Sequence, residues 1–82
     1  MINISEVSTN DDYIIIVRFE NGEEKIFDIK PYLEKGVFKE LKNMQYFHQI
    51  QSKGYYIEWP HGQDISADTL YFEGKKLEIF SK

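Results

Sequence analysis

The residues that most narrow what this chain can fold into are Tyr13-Ile14-Ile15-Ile16-Val17-Arg18-Phe19, followed at once by Glu20-Asn21-Gly22. Four consecutive β-branched side chains are stiff about χ1 and suit a pleated strand better than a helix. Neighbouring strand residues point to opposite faces, so this run is apolar on both faces near its middle. Such a strand is expected at the centre of a sheet, covered on both sides or set against an oligomer contact. Asn21-Gly22 then signals a hairpin back through Glu24 to Ile29. Charge selects its register. A two-residue loop would set Arg18 against Lys25 and Glu20 against Glu23, both like pairs. A three-residue loop with Gly22 in the left-handed position sets Arg18 against Glu24 and is the expected one.

The rest of the chain arranges itself around that hairpin. Met1 to Val7 alternates apolar Ile2 and Ile4 with Asn3 and Ser5, as a strand with one wet face does. Ser8 to Asp12 reads as a turn, because short side-chain oxygens compete for backbone donors. Asp11 and Asp12 are too few to make a metal cage and read as a solvated loop. Lys30-Pro31 ends the strand that began at Glu24, and Tyr32 to Lys35 makes one helical turn closed by Gly36. Val37, Phe38, Leu41 and Met44 recur at helical spacing, with Asn43 placed to cap a second short helix. The stripe Leu33, Val37, Phe38, Leu41 and Phe47 is expected in the core. Ser52-Lys53-Gly54 signals a further hairpin into Tyr55 to Trp59. Pro60 ends that strand, and Gly62 lets Gln63-Asp64-Ile65 return beside it. Ser66 then caps a helix from Ala67, whose first turn holds Asp68 at the positive end. Past Phe72 a turn at Glu73-Gly74-Lys75-Lys76 and alternation at Leu77 and Ile79 predict a last short strand or a tail ordered only by a partner.

Composition removes whole classes of function. There is no cysteine, so disulfides and thiolate zinc sites are out. No apolar run approaches the ~20 residues that span a bilayer. Met1 to Glu6 has neither the basic start nor the apolar block of a signal peptide, and a cytoplasmic location is expected. Fourteen acidic against ten basic residues leave a net charge of −4, which disfavours the phosphate neutralisation that nucleic-acid binding rests on. Phosphate-cradling glycine motifs are absent from the sequence. At 82 residues only one domain is expected, spanning 1–82 with a core over 1–71 and a C-terminal extension over 72–82.

One stretch concentrates side chains that could do something, from Tyr55 through Trp59-Pro60-His61-Gly62 to Tyr71. It holds the only tryptophan and one of the two histidines. His61 and Asp64, at His-x-x-Asp spacing, could meet across a tight turn and act as general base or metal ligands. That chemistry needs a nucleophile or third ligand, and the sequence fixes neither Ser66 nor His48 near the pair, so no catalytic residue, metal or cofactor is expected. The aromatic side chains could instead anchor an interface, since Tyr and Trp dominate binding hot spots. The plainer alternative is that they fill a small core. The candidate surface is Tyr56, Trp59, His61, Asp64, Asp68 and Tyr71.

Five separated blocks occur in a recognisable order: Phe19-Glu20-Asn21-Gly22-Glu23, Phe27 to Leu33, Gly36 to Leu41, Ile57 to Ile65 and Asp68 to Tyr71. Together they make the chain resemble the bacterial family called domain of unknown function 2442. The resemblance implies a small α+β domain with no established activity or cofactor, found as stand-alone proteins or ahead of a helix-turn-helix domain. Some members are encoded beside another small protein, which implies a paired or regulatory role. This chain carries no helix-turn-helix segment, so direct nucleic-acid binding is not expected. The fold expected is α+β, a mainly antiparallel twisted sheet of about five or six strands with two or three short helices on one face. The function expected is an accessory or regulatory protein-interaction module rather than an enzyme, its partner a second copy or a small protein encoded nearby. A small enzyme or ligand-binding domain centred on the Trp59-Pro60-His61-Gly62 turn is the alternative.

Overall fold

A computed structural model describes residues 2–77. Three strands open the chain, β1 (Ile4–Thr9), β2 (Ile14–Phe19) and β3 (Glu24–Asp28). Two 3₁₀ segments follow, Lys30–Tyr32 and Gly36–Lys42, then helix α1 (Met44–Phe47). The second half contains β4 (Gln51–Ser52), β5 (Tyr56–Glu58), β6 (Asp64–Ser66), helix α2 (Ala67–Glu73) and β7 (Lys75–Lys76). The class is α+β as expected, but the strands divide between two antiparallel sheets, one ordered β1-β2-β3-β7 and the other β4-β5-β6. The final strand pairs at Lys75 and Lys76, within the stretch read as a turn. The expected contribution of Ile79 lies outside the described residues.

β2 is an inner strand, flanked by β1 and β3. Its alternation sorts the run cleanly: Ile15, Val17 and Phe19 are buried in the core, while Ile14, Ile16 and Arg18 point the other way. β1 reaches the same core by an irregularity. The register shifts between Ile4 and Glu6, so Ser5 is an extra residue and its hydroxyl donates to the Arg18 carbonyl at 3.1 Å. A bulge of this kind moves every later side chain to the opposite face. That is how Val7, three positions after Ile4, comes to pack against the core that buries Ile4.

Three hairpins share one geometry. Asn10 donates to the Ile14 carbonyl, Phe19 to that of Glu23, and Trp59 to that of Gln63, each closing a loop of three residues. The third loop residue is left-handed every time: Tyr13 at φ 60°, Gly22 at 91° and Gly62 at 99°. Glycine takes that conformation without penalty, whereas a residue with a Cβ pays ~1 to 3 kcal/mol. Tyr13 is held there by its ring, 5.3 Å from Phe47, and by its hydroxyl, which donates to the Lys42 carbonyl. The β2–β3 loop puts Arg18 opposite Glu24, as the charge argument required. The guanidinium donates from Nε and Nη2 to Glu24 Oε2 at 2.9 and 2.8 Å.

The caps also fall where expected. The Asn43 side chain accepts from the Tyr46 amide at 3.2 Å, and Ser66 Oγ accepts from that of Thr69 at 3.0 Å. The segment Gly36–Lys42 differs from expectation in being 3₁₀ rather than α-helical. At three residues per turn, Phe38 and Leu41 line up on one face. Val37 is left off that face and is 69% exposed, so it does not join the core stripe.

β1 is an outer strand, but its edge has company. The Ile4 amide donates to the Gly54 carbonyl at 2.8 Å, and Ser52 Oγ donates to the Ile4 carbonyl at 3.3 Å. At the far end Thr9 Oγ1 lies 2.6 Å from His48 Nδ1. The segment 48–54 therefore runs alongside β1, pinned at both ends. At the opposite edge of this sheet α2 ends against β3 at Gly74, where a Cβ would lie 2.4 Å from the Leu70 carbonyl oxygen and 3.0 Å from that of Ile26. We expect Gly74→Ala to cost ~1 to 3 kcal/mol through overpacking. Thermal unfolding should register a fall of roughly 4 to 8 °C per kcal/mol lost.

Candidate functional site

Around the Trp59-Pro60-His61-Gly62 corner, the side chains bond chiefly to one another. Gln63 is 5% exposed and is the buried polar residue of the described chain. An amide in that position must find its hydrogen bonds inside the protein. Its Nε2 donates to the Val37 carbonyl at 3.0 Å and to Glu40 Oε1 at 2.9 Å, and its Oε1 accepts from the Tyr46 hydroxyl at 2.6 Å. That hydroxyl in turn accepts from the His61 amide at 2.8 Å. The His61 ring closes the circuit, stacked on Tyr46 at 5.1 Å with Nδ1 2.6 Å from Glu40 Oε2. The result is a closed polar ring that fastens the corner to the 3₁₀ segment and α1.

The six residues expected to form a surface do not converge. Trp59 is 1% exposed and donates from its indole nitrogen to the Phe47 carbonyl at 2.8 Å, so it supports the corner from beneath and is no surface anchor. Tyr56 and Asp64 share the outer face of the second sheet, where Asp64 sits opposite Glu58, an unfavourable like pair. His61 turns to Glu40. Asp68 is exposed in the first turn of α2. Tyr71 lies on α2 and packs against the four-stranded sheet, its ring edge-on to Phe19 at 5.1 Å and its hydroxyl donating to Glu23 Oε2 at 3.0 Å. Glu40, Tyr46 and Gln63 were not singled out from sequence, because their meeting depends on contacts across 15 to 23 positions.

A second cluster joins Thr9, His48 and Asp11. His48 Nδ1 lies 2.6 Å from the Thr9 hydroxyl, and Nε2 lies 2.9 Å from Asp11 Oδ1. Hydroxyl, imidazole and carboxylate in a row are the parts of a nucleophilic triad. Asp11 is almost wholly exposed, and none of the three lines the grooves of about 690 and 400 Å³ beside the four-stranded sheet. They tie the tip of the β1–β2 hairpin to the end of α1.

The remaining feature is the outer face of the four-stranded sheet. Ile14 and Ile16 on β2 and Ile26 on β3 are each partly exposed. Ile16 and Ile26 are direct cross-strand partners, so the three form one apolar strip. None belongs to the core cluster or packs against it. At one end of the strip Arg18 pairs with Glu24, and its Nη1 lies 3.4 Å from Glu6. At the other, Lys30 lies 3.1 Å from Asp28. Grooves of about 690 and 400 Å³ flank it, the first lined by Ile16, Arg18 and Glu24, the second by Ile14, Ile26 and Tyr32.

These features define a small two-sheet α+β domain with a polar corner bonded to itself and, among the described residues, a partly exposed apolar strip on the outer face of the four-stranded sheet. The chain matches the model of the family described as "Protein of unknown function (DUF2442)" over residues 4–76, and it belongs to that family. The match takes in Phe72 to Lys76, beyond the last block recognised in the sequence. No curated protein and no solved structure matches the chain.

Three substitutions test the corner. Gln63→Leu strands the Tyr46 hydroxyl, the Val37 carbonyl and Glu40, and is expected to cost ~2 to 4 kcal/mol in urea unfolding. His61→Ala should cost under ~1 kcal/mol, since an exposed ion pair contributes little, and Asp64→Ala should be neutral or slightly stabilising because it relieves the repulsion with Glu58. For Tyr71, the Glu23 carboxylate that accepts its hydroxyl, and then burial, raise the phenol above its ordinary value of 10.0. A raised folded pKa means stability that is complete below the unfolded pKa and lost as pH climbs through the folded one. The alkaline loss of stability above pH ~10 should therefore be smaller in Tyr71→Phe than in the parent chain.

Proposed function

We propose that the chain is a protein-interaction module, of accessory or regulatory kind, that binds through the uncovered face of its four-stranded sheet. One observation carries this reading: Ile14, Ile16 and Ile26 form an apolar strip apart from the core. A strand apolar on both faces normally has both faces covered. Here one face is fully buried and, among the described residues, the other stays partly exposed, and a partner is the natural cover for it. The charged pairs at the ends of the strip resemble the polar rim around an interface centre.

The alternative, chemistry or ligand binding at the Trp59-Pro60-His61-Gly62 turn, is less well supported. His61, Glu40, Gln63 and Tyr46 are engaged with one another, which favours an architectural role for that corner. The test is co-purification of the tagged chain from its host. A specific partner should be retained by the parent and lost with Ile16→Glu, which places a charge in the middle of the strip. Burying an isoleucine is worth ~1.5 to 3 kcal/mol, so affinity should fall at least about tenfold, with the circular dichroism spectrum unchanged. A variant that keeps the partner at full affinity would remove this face from consideration.

A further inference from the structure

Resting on the interaction reading above, we propose that the partner on this face is a second copy of the chain, related by a twofold axis that runs parallel to the strands between β2 and β3. Where β2 meets β3 the cross-strand rows on the outer face are Arg18 with Glu24, Ile16 with Ile26, and Ile14 with Asp28, flanked by Glu6 and Ser8 on β1 and by Lys75 on β7. Such an axis lays β2 of each copy over β3 of the other. Every Arg18 then faces Glu24 of the other copy, and every Ile16 faces Ile26. The pattern is self-complementary, which is what an isologous contact demands. The alternative axis, perpendicular to the strands, would place Glu24 over Asp28 of the other copy and set like charges together.

The side chains are prepared for this. Both Arg18 hydrogen bonds to Glu24 fall on Oε2, and among the described residues the other oxygen, Oε1, takes none. It can receive the guanidinium of a second copy, and two pairs become a four-membered network across the axis. At the rim Asp28 is neutralised by Lys30 at 3.1 Å, so its position opposite Ile14 leaves no bare charge against an apolar group. Sheets stacked in this way sit about 10 Å apart with their side chains interdigitated. One face of so small a domain buries less than about 1,200 Å² in total, the range of weak complexes, so a micromolar dissociation constant is expected.

Sedimentation velocity on the purified full chain, from roughly 10 µM to 1 mM to bracket that affinity, tests the proposal. The parent should pass from monomer to dimer. Arg18→Glu alone puts carboxylates face to face, Glu24→Arg alone puts guanidiniums face to face, and each should remain monomeric with a folded circular dichroism spectrum. Their equimolar mixture should recover the dimer, because each introduced carboxylate meets an introduced guanidinium while native Glu24 meets native Arg18. Ile26→Thr, which leaves the charged row intact, should weaken the dimer at least tenfold and serves if a charge variant fails to fold. A parent chain that is monomeric throughout, a single charge variant that dimerises like the parent, or a mixture that stays monomeric would overturn the proposal. A monomeric parent whose host partner is still lost with Ile16→Glu would overturn self-association alone and leave the interaction reading standing.

Discussion

Two small sheets become one body because a column of aromatic rings runs between them. Trp59, at the end of β5, stacks on Phe47 of α1 with centroids 6.3 Å apart, and Phe47 meets Tyr13 at the start of β2. The Trp59 indole nitrogen is satisfied by the Phe47 carbonyl, so the largest buried side chain carries no unpaired donor into the core. Rings of this size remove a large area from water for few rotatable bonds. A chain with no disulfide and only short strands needs that economy, since ordering its backbone costs ~1 to 2 kcal/mol per residue. The left-handed backbone at Tyr13 is tolerated because its ring is the last member of the column.

The closed polar ring at the Trp59–Gly62 corner follows from the same arrangement. Once Trp59 is fixed beneath the turn, His61 and Gln63 are delivered to the 3₁₀ segment that carries Val37 and Glu40. Gln63, itself buried, then finds its partners in Tyr46, Val37 and Glu40. A glutamine, a tyrosine and a glutamate so far apart in sequence have a common purpose only after the chain has folded. The His61 imidazole beside the Glu40 carboxylate is one link of that ring.

What the sequence made legible was local. The doubly apolar strand, the three-residue loop implied by Arg18 and Glu24, and the caps at Asn43 and Ser66 each depend on residues within a few positions of one another. Gly22 and Gly62 announced their hairpins. Tyr13, doing the same work at the third, did not, because nothing in a tyrosine advertises a left-handed backbone. The division into two sheets was hidden because strands as short as Gln51–Ser52 and Lys75–Lys76 leave almost no alternation to read. Val37 misled because helical spacing was assumed where the segment winds at three residues per turn. Tyr56, Trp59, His61, Asp64, Asp68 and Tyr71 are close in sequence, yet they distribute among core, corner, the second sheet and α2. The outer strip was implicit from the outset in the expectation that both faces of β2 need covering.

The segment 48–54 has a consequence of its own. It is fastened to β1 by Ile4, Ser52 and Gly54 at one end and by Thr9 and His48 at the other, without a continuous ladder between them. A strand edge covered by a strap is withheld from other chains only while the strap stays down. Fraying of those few bonds is a far smaller event than global unfolding. Such fraying would bare the six-residue edge of β1 to pairing with another chain, and the clasp at each end of the strap is what keeps that edge closed.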